Sequence, residues 1–286
     1  MKHQFITHGI LLSMVISSIG CTTTDSQTLS HQVTHASQKK QITSFSINKG
    51  FKVFNGTRYR NTTDLDQMGL VPFTTVYDVW KLTCDANSCS NVPDKETFKK
   101  VLTNYVSQFR SSEYITFDFE KIVIDSAYSE EQAKREVALI KQFIEWTREA
   151  YPHTKIGMYD YDFNNKFSSI KAQLYQHGGF DFFAPTLYQR WTNHATWCAN
   201  LKAVVENDHA INPNLPIYAY ISPYKAGKIT SGFLSIAEWQ GELFNASQTL
   251  NGVIIWTENT RNDTLNTNQS WLKDLHQMMS KVKYQT

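Results

Sequence analysis

Tyr114-Ile115-Thr116-Phe117-Asp118-Phe119-Glu120 is the stretch on which the reading of this chain turns. It is apolar, aromatic and β-branched, the composition of a strand buried on both faces. Successive strand side chains point to opposite faces, so Asp118 and Glu120 share one. Two carboxylates side by side disfavour each other's ionisation, and one of them can hold its proton near neutral pH. A protonated carboxyl beside an ionised one is the pairing that cleavage of a glycosidic bond uses.

Working outward from this run, short apolar segments alternate with helical patterns from residue 50 onward. Strands are expected over 51–55, 71–78, 114–120, 155–161, 181–188, 216–222 and 252–257. Between the third and fourth, Ser129-Glu130-Glu131-Gln132 forms a capping box, Ala133, Val137, Ile140 and Ile144 recur at helical spacing, and Tyr151-Pro152 ends the helix. A second helix begins near Pro93-Asp94 and carries Phe98, Leu102, Tyr105 and Phe109. Others fit 164–177, 193–207, 235–248 and 268–282. This βαβα repetition implies a parallel sheet. No Gly-rich phosphate loop follows the first strand, which disfavours a dinucleotide fold. The expected fold class is therefore α/β: a TIM-like (β/α) barrel, distorted, with seven strands.

Barrels do their chemistry at the carboxyl ends of their strands. That rule selects Asn55, Asp78, Asp118, Glu120, Tyr159, Asp160, Tyr161, Tyr188, Tyr220, Trp256 and Glu258. Carboxylates and aromatic rings dominate, and these suit the hydroxyls and apolar C–H faces of sugars. No Gly-x-Ser-x-Gly elbow and no His-Glu-x-x-His is present, so neither a serine triad nor a zinc hydrolase is expected, and no metal or cofactor is called for. The formal net charge of +2 and the lack of a long basic run argue against a nucleic-acid partner.

The N-terminus reads as a targeting signal. Met1-Lys2-His3 precedes an apolar stretch from Ile10 to Ile16, and Ser18-Ile19-Gly20-Cys21 resembles a bacterial lipoprotein cleavage site. The expected organisation is a signal peptide over 1–20, a flexible tether over 21–48 after a lipidated Cys21, and a barrel over 49–286. The tether is rich in Ser, Thr, Gln and His and cannot bury enough surface to fold. The apolar stretch is too short for a stable membrane-spanning helix, so the membrane is engaged through the lipid. Thr22, not aspartate, follows Cys21, and the outer membrane of a bacterial envelope is the preferred location. In an oxidising compartment Cys84 and Cys89, bracketing a turn-rich loop, are candidates for a local disulfide. Cys198 is then left over and expected to be buried. A monomer is expected.

These residues together resemble the hyaluronidase family of glycoside hydrolases, whose fold is a distorted barrel of seven βα units. Phe51 to Asn55 looks like that family's first strand. Ile115 to Glu120 matches its acid strand, which ends Asp-Trp-Glu. Gly157-Met158-Tyr159-Asp160-Tyr161 with Phe163-Asn164, Ala184-Pro185-Thr186-Leu187-Tyr188, Phe233-Leu234-Ser235 and Gly252 to Trp256 follow in family order. Asn55-Gly56-Thr57 stands where the family has Trp-Asn-Val-Pro. The resemblance implies retaining, substrate-assisted hydrolysis beside an N-acetylhexosamine of a polysaccharide. Glu120 would be acid and then base, and Asp118 would share its proton and orient the acetamido group. Tyr188, with Tyr159 or Tyr161 in second place, would hold the acetamido oxygen. Trp256 would form the floor of the site, and Asp160 would bond sugar hydroxyls. Arg190, Lys225 and Arg261 follow strand ends and would line a groove for an anionic polymer. Two alternatives stay open: a non-catalytic glycan-binding lipoprotein on the same barrel, and a double-displacement enzyme with Asp160 or Glu258 as nucleophile.

Overall fold

The computed structural model of the chain describes residues 48, 50–59, 63–77, 79, 82, 92–109, 111–119, 122, 124, 129–160, 166–189, 193–258 and 263–283. The signal peptide and tether expected over 1–48, apart from Asn48, lie outside them. So do Cys21, Asp78, Cys84, Cys89, Glu120, Tyr161, Arg190 and Arg261.

The strands are β1 (Lys52–Asn55), β2 (Val71–Pro72), β3 (Thr74–Val76), β4 (Tyr114–Phe117), β5 (Lys155–Asp160), β6 (Phe182–Pro185), β7 (Tyr218–Ile221) and β8 (Gly252–Ile255). All their pairings are parallel, in the orders β2-β1-β8-β7 and β3-β4-β5-β6. Parallel bridges Phe183↔Ile217 and Thr186↔Tyr220 join β6 to β7. On the other side only Phe73 separates β2 from β3, so one run of chain leaves the first set and enters the second. Pro72 has no N–H to continue a ladder, and the run breaks there. Counted as one distorted strand, it makes the barrel seven-stranded, as expected.

The helices are α1 (Thr63–Met68), α2 (Lys95–Phe109), α3 (Glu130–Ala150), α4 (Ser168–Lys171), α5 (His194–Ile211), α6 (Ile236–Thr249) and α7 (Ser270–Lys283). Their starts follow local chemistry. Asp94 Oδ1 accepts from Thr97 N at 2.9 Å ahead of α2, and Ser129 accepts from Gln132 N ahead of α3. Asn193 caps α5, and Ser235 with Glu238 forms a full capping box on α6. Helix α3 buries Ala133, Val137, Ile140 and Ile144, the stripe its spacing implies. Two expectations need correction. Residues 168–175 form α4 and a 3-10 turn, not a long helix, and α1 was not anticipated.

Period-two alternation divides the apolar residues into two cores. Val53, Ile115, Phe117, Ile156, Phe183 and Val253 face outward and pack beneath the helices. Phe54, Phe73, Tyr114, Phe182, Tyr218, Tyr220 and Ile254 fill the lumen. Gly157 makes room for this filling: a Cβ there would lie 2.3 Å from the Phe182 ring. At the N-terminal mouth the Lys52 ammonium lies 4.9 Å from the Tyr114 ring centroid and donates to its hydroxyl. Cys198, on α5, is buried at 7 % exposure as expected. It is disulfide-bonded, however, to a partner outside the described residues, which corrects the expectation of a left-over thiol. Sequence spacing sees local pairings and misses those between distant segments.

Candidate active site

Strand register assembles the C-terminal mouth of the lumen. Val76 pairs with Phe117 and Phe117 with Met158, so the next residues, Tyr77, Asp118 and Tyr159, lie level with one another. Asp118 N donates to Val76 O at 3.0 Å and extends the ladder by one residue. Just below, the Tyr220 hydroxyl sits 2.6 Å from Thr116 Oγ1 and 3.1 Å from Thr75 Oγ1. The Tyr220 ring meets that of Tyr159 edge-on, with centroids 5.3 Å apart at 73°. Trp256 follows β8, donates from Nε1 to the Tyr77 hydroxyl at 3.1 Å, and stacks on Tyr188 at 5.2 Å and 26°. The Arg58 guanidinium lies 5.1 Å from the Tyr77 ring centroid.

Electrostatics locate Asp118 further. Burial, and then the Asp118 carboxylate, push the Tyr77 hydroxyl up to about 12, against the Trp256 hydrogen bond and the Arg58 charge. Burial also holds Tyr188 and Tyr220 well above the ordinary phenol range, and Asp118 contributes at both. One carboxylate therefore acts on three phenols. All three stay protonated at neutral pH, and each hydroxyl keeps a proton to donate.

Of the residues singled out in the sequence, Asp118, Tyr159, Tyr188 and Trp256 are brought together here. Glu120 and Tyr161 lie outside the described residues. Asp160 needs correction as a sugar ligand. It is one residue beyond the lumen-facing Tyr159, so it points to the helical side, where its carboxylate is ion-paired with Lys171. Behind that pair lies Asp208, and Asp160 and Asp208 both help to raise the buried Tyr175 hydroxyl. Two groups of the mouth went unrecognised. Tyr77 was passed over for its neighbour Asp78, although counting by twos from Phe73 selects it. Thr186 pairs with the lumen-facing Tyr220, and its Oγ1 is buried with no hydrogen-bond partner among the described residues. A hydroxyl in that position suits a polar ligand.

No family model and no curated protein sequence matches the chain. Among solved structures it is similar to bee venom hyaluronidase, at 11% identity over 82% of this chain and 97% of that one, with a TM-score of 0.54. Bee venom hyaluronidase in complex with a hyaluronic acid tetramer matches at 12% identity, over 82% and 96% of the two chains, with a TM-score of 0.51. A glycoside hydrolase family 5 enzyme from Prevotella bryantii follows at 10% identity, 75% and 71% coverage and a TM-score of 0.43. At such identities the likeness to the bee venom structures concerns the fold: this chain has a distorted α/β barrel like theirs.

Proposed function

We propose that the chain is a glycoside hydrolase acting on an N-acetylhexosamine-containing polysaccharide, with Glu120 as general acid and then base. The observation that carries this reading is the lumen mouth itself. Asp118 lies there within electrostatic reach of three protonated phenols, beside the stacked Tyr188–Trp256 pair. Its fold likeness to a hyaluronidase supports the substrate class.

In this mechanism Glu120, two residues beyond Asp118 in the sequence, gives its proton to the leaving glycosidic oxygen. The neighbouring Asp118 charge favours its protonated form beforehand. The substrate's own acetamido oxygen attacks the anomeric carbon, so no protein nucleophile is needed, a known exception to the two-carboxylate scheme. Asp118 accepts from the acetamido N–H, and Tyr188 and Tyr159 hold the acetamido oxygen in line. Water, deprotonated by Glu120, then opens the cyclic intermediate with retention. Trp256 offers an apolar ring to the sugar's C–H face. We further propose that Cys21 is lipidated and anchors a monomeric enzyme to the bacterial cell envelope, in the outer membrane.

Hyaluronan, chondroitin, chitin and peptidoglycan digests, scored for new reducing ends and for binding, test the reading. New reducing ends from one of these polymers, suppressed by an N-acetylhexosamine thiazoline, are expected. Binding without cleavage would make the barrel a glycan-binding module. Covalent trapping by a fluorinated sugar would replace substrate assistance with a protein nucleophile.

A further inference from the structure

The outer ridge of the chain between β7 and the first turn of α6 has no part in the mechanism above. Residues 228–233 and 235–237 are exposed there, and they include Ile229, Phe233 and Ile236 at 42%, 45% and 56% exposure. Among the described residues Val92 is the one other large apolar side chain so exposed. Apolar surface gathered in this way, not scattered singly, marks an interaction site. The three side chains are held close. Gly232 N donates to Ile229 O at 3.1 Å and turns Ile229 back toward Phe233, and the step from Phe233 to Ile236 spans at most about 10 Å.

The backbone fixes them outward. Tyr224 and Phe233 form an antiparallel bridge, Lys225 N donates to Gly232 O at 3.0 Å, and Leu234 N donates to Pro223 O at 2.9 Å. The Phe233 ring stacks on the buried Tyr224 at 4.5 Å and 25°. The Ser235–Glu238 capping box sets the start of α6, whose first residue is Ile236. From Ser222 to Ile236 there are two lysines and no acidic residue. Lys225 faces Glu238, which leaves Lys228 as the ridge's net positive charge. Apolar tips beside an ammonium match an anionic bilayer: the tips enter the boundary between headgroups and acyl chains, and the lysine stays level with the phosphates. Ile229 and Ile236 have no flat face for a sugar ring, which favours lipid over glycan.

We propose that this ridge docks on an anionic phospholipid bilayer, with Ile229, Phe233 and Ile236 inserted at the interface and Lys228 pairing with a lipid phosphate. The choice of occupant rests in part on the proposed lipid anchor. Asn48 is bonded to Ser247 and Gln248 at the far end of α6, about 20 Å from Ile236. The chain from Cys21 to Asn48 can span up to about 90 Å, so the lipid and the ridge can meet one bilayer. Gly227 of the same loop lies against Trp256 and Tyr188, and docking sets that side of the cleft beside the lipid surface.

The test is flotation of the full chain carrying Cys21→Ser, to which no lipid is attached, with phosphatidylcholine vesicles that contain or lack phosphatidylglycerol. Binding to the anionic vesicles is expected. Phe233→Ser, and Ile229→Ser with Ile236→Ser, should each weaken it at least tenfold, and Lys228→Gln about fivefold. The isoleucine pair decides the matter if Phe233→Ser disturbs Tyr224. Raised salt should erase the Lys228 effect and leave that of the isoleucines. No binding to the anionic vesicles, or binding that none of these variants weakens, would overturn the proposal. Self-association undone by the same variants, without vesicle binding, would replace the bilayer with a second copy of the chain. Palmitate labelling of the wild-type chain at Cys21 tests the lipid anchor by itself, so either reading can fall without the other.

Discussion

Replacing Asp208 by asparagine removes a charge that the fold holds off its carboxyl group. Asp208 is 6% exposed on α5, and its Oδ2 has no hydrogen-bond partner among the described residues. Burial raises its pKa from 3.8 to about 8; Lys171 pulls it down and Asp160 adds to the rise. Below about pH 4 the folded and unfolded chains both carry the proton, and there is no effect. Between about pH 4 and pH 8 the unfolded chain is ionised while the folded chain keeps its proton, so stability falls as pH rises. A shift of about 4 units (8 minus 3.8), at about 1.36 kcal/mol each, amounts to about 5–6 kcal/mol at saturation and about 4 kcal/mol by pH 7. A protonated carboxyl and an amide bury comparable polarity, so wild type and Asp208→Asn should match near pH 4. They should then diverge until the variant is the more stable by a few kcal/mol at pH 7–8. Urea unfolding of both proteins from pH 4.5 to 8.5 measures this, because subtraction cancels every other titrating group. A difference that stays flat across that range, or a variant that is the less stable at pH 8, would refute the reasoning.

Two further substitutions probe the lumen. Gly157→Ala places a Cβ 2.3 Å from the buried Phe182 ring, and overpacking should lower stability by about 1–3 kcal/mol in urea denaturation. Tyr77→Phe removes the oxygen that accepts from Trp256 Nε1 at 3.1 Å, and should lower stability by about 1 kcal/mol and reduce turnover with little change in KM.

Alternation made much of this barrel readable before any coordinates. The apolar runs fall where strands form, and Asp118, Tyr159, Tyr188 and Trp256 stand on inward-facing or strand-end positions that period-two counting can reach. The expected strands are longer than those that form. The run 114–120 pairs as Tyr114–Phe117, and 181–188 as Phe182–Pro185. Beyond those strand ends, Asp118 and Thr186 still bond to the neighbouring strands, at the C-terminal mouth of the lumen. Asp160 was misassigned because adjacent residues occupy opposite faces, and composition alone does not say which face is the lumen. Tyr77 was missed for the same reason, in a strand broken after Pro72. Helix α1 offers six residues and no apolar stripe, so periodicity had little to act on. The Cys198 disulfide joins segments whose proximity only the fold creates.

The central proposal is that Glu120 donates the proton to the leaving glycosidic oxygen. Turnover and ligand affinity of Glu120→Gln, measured on the polymer that the wild-type enzyme cleaves, test this most directly. Loss of positioned acid catalysis should lower kcat by about 10²–10⁴-fold while affinity stays near the wild-type value. Cleavage by Glu120→Gln at the wild-type rate would contradict the account.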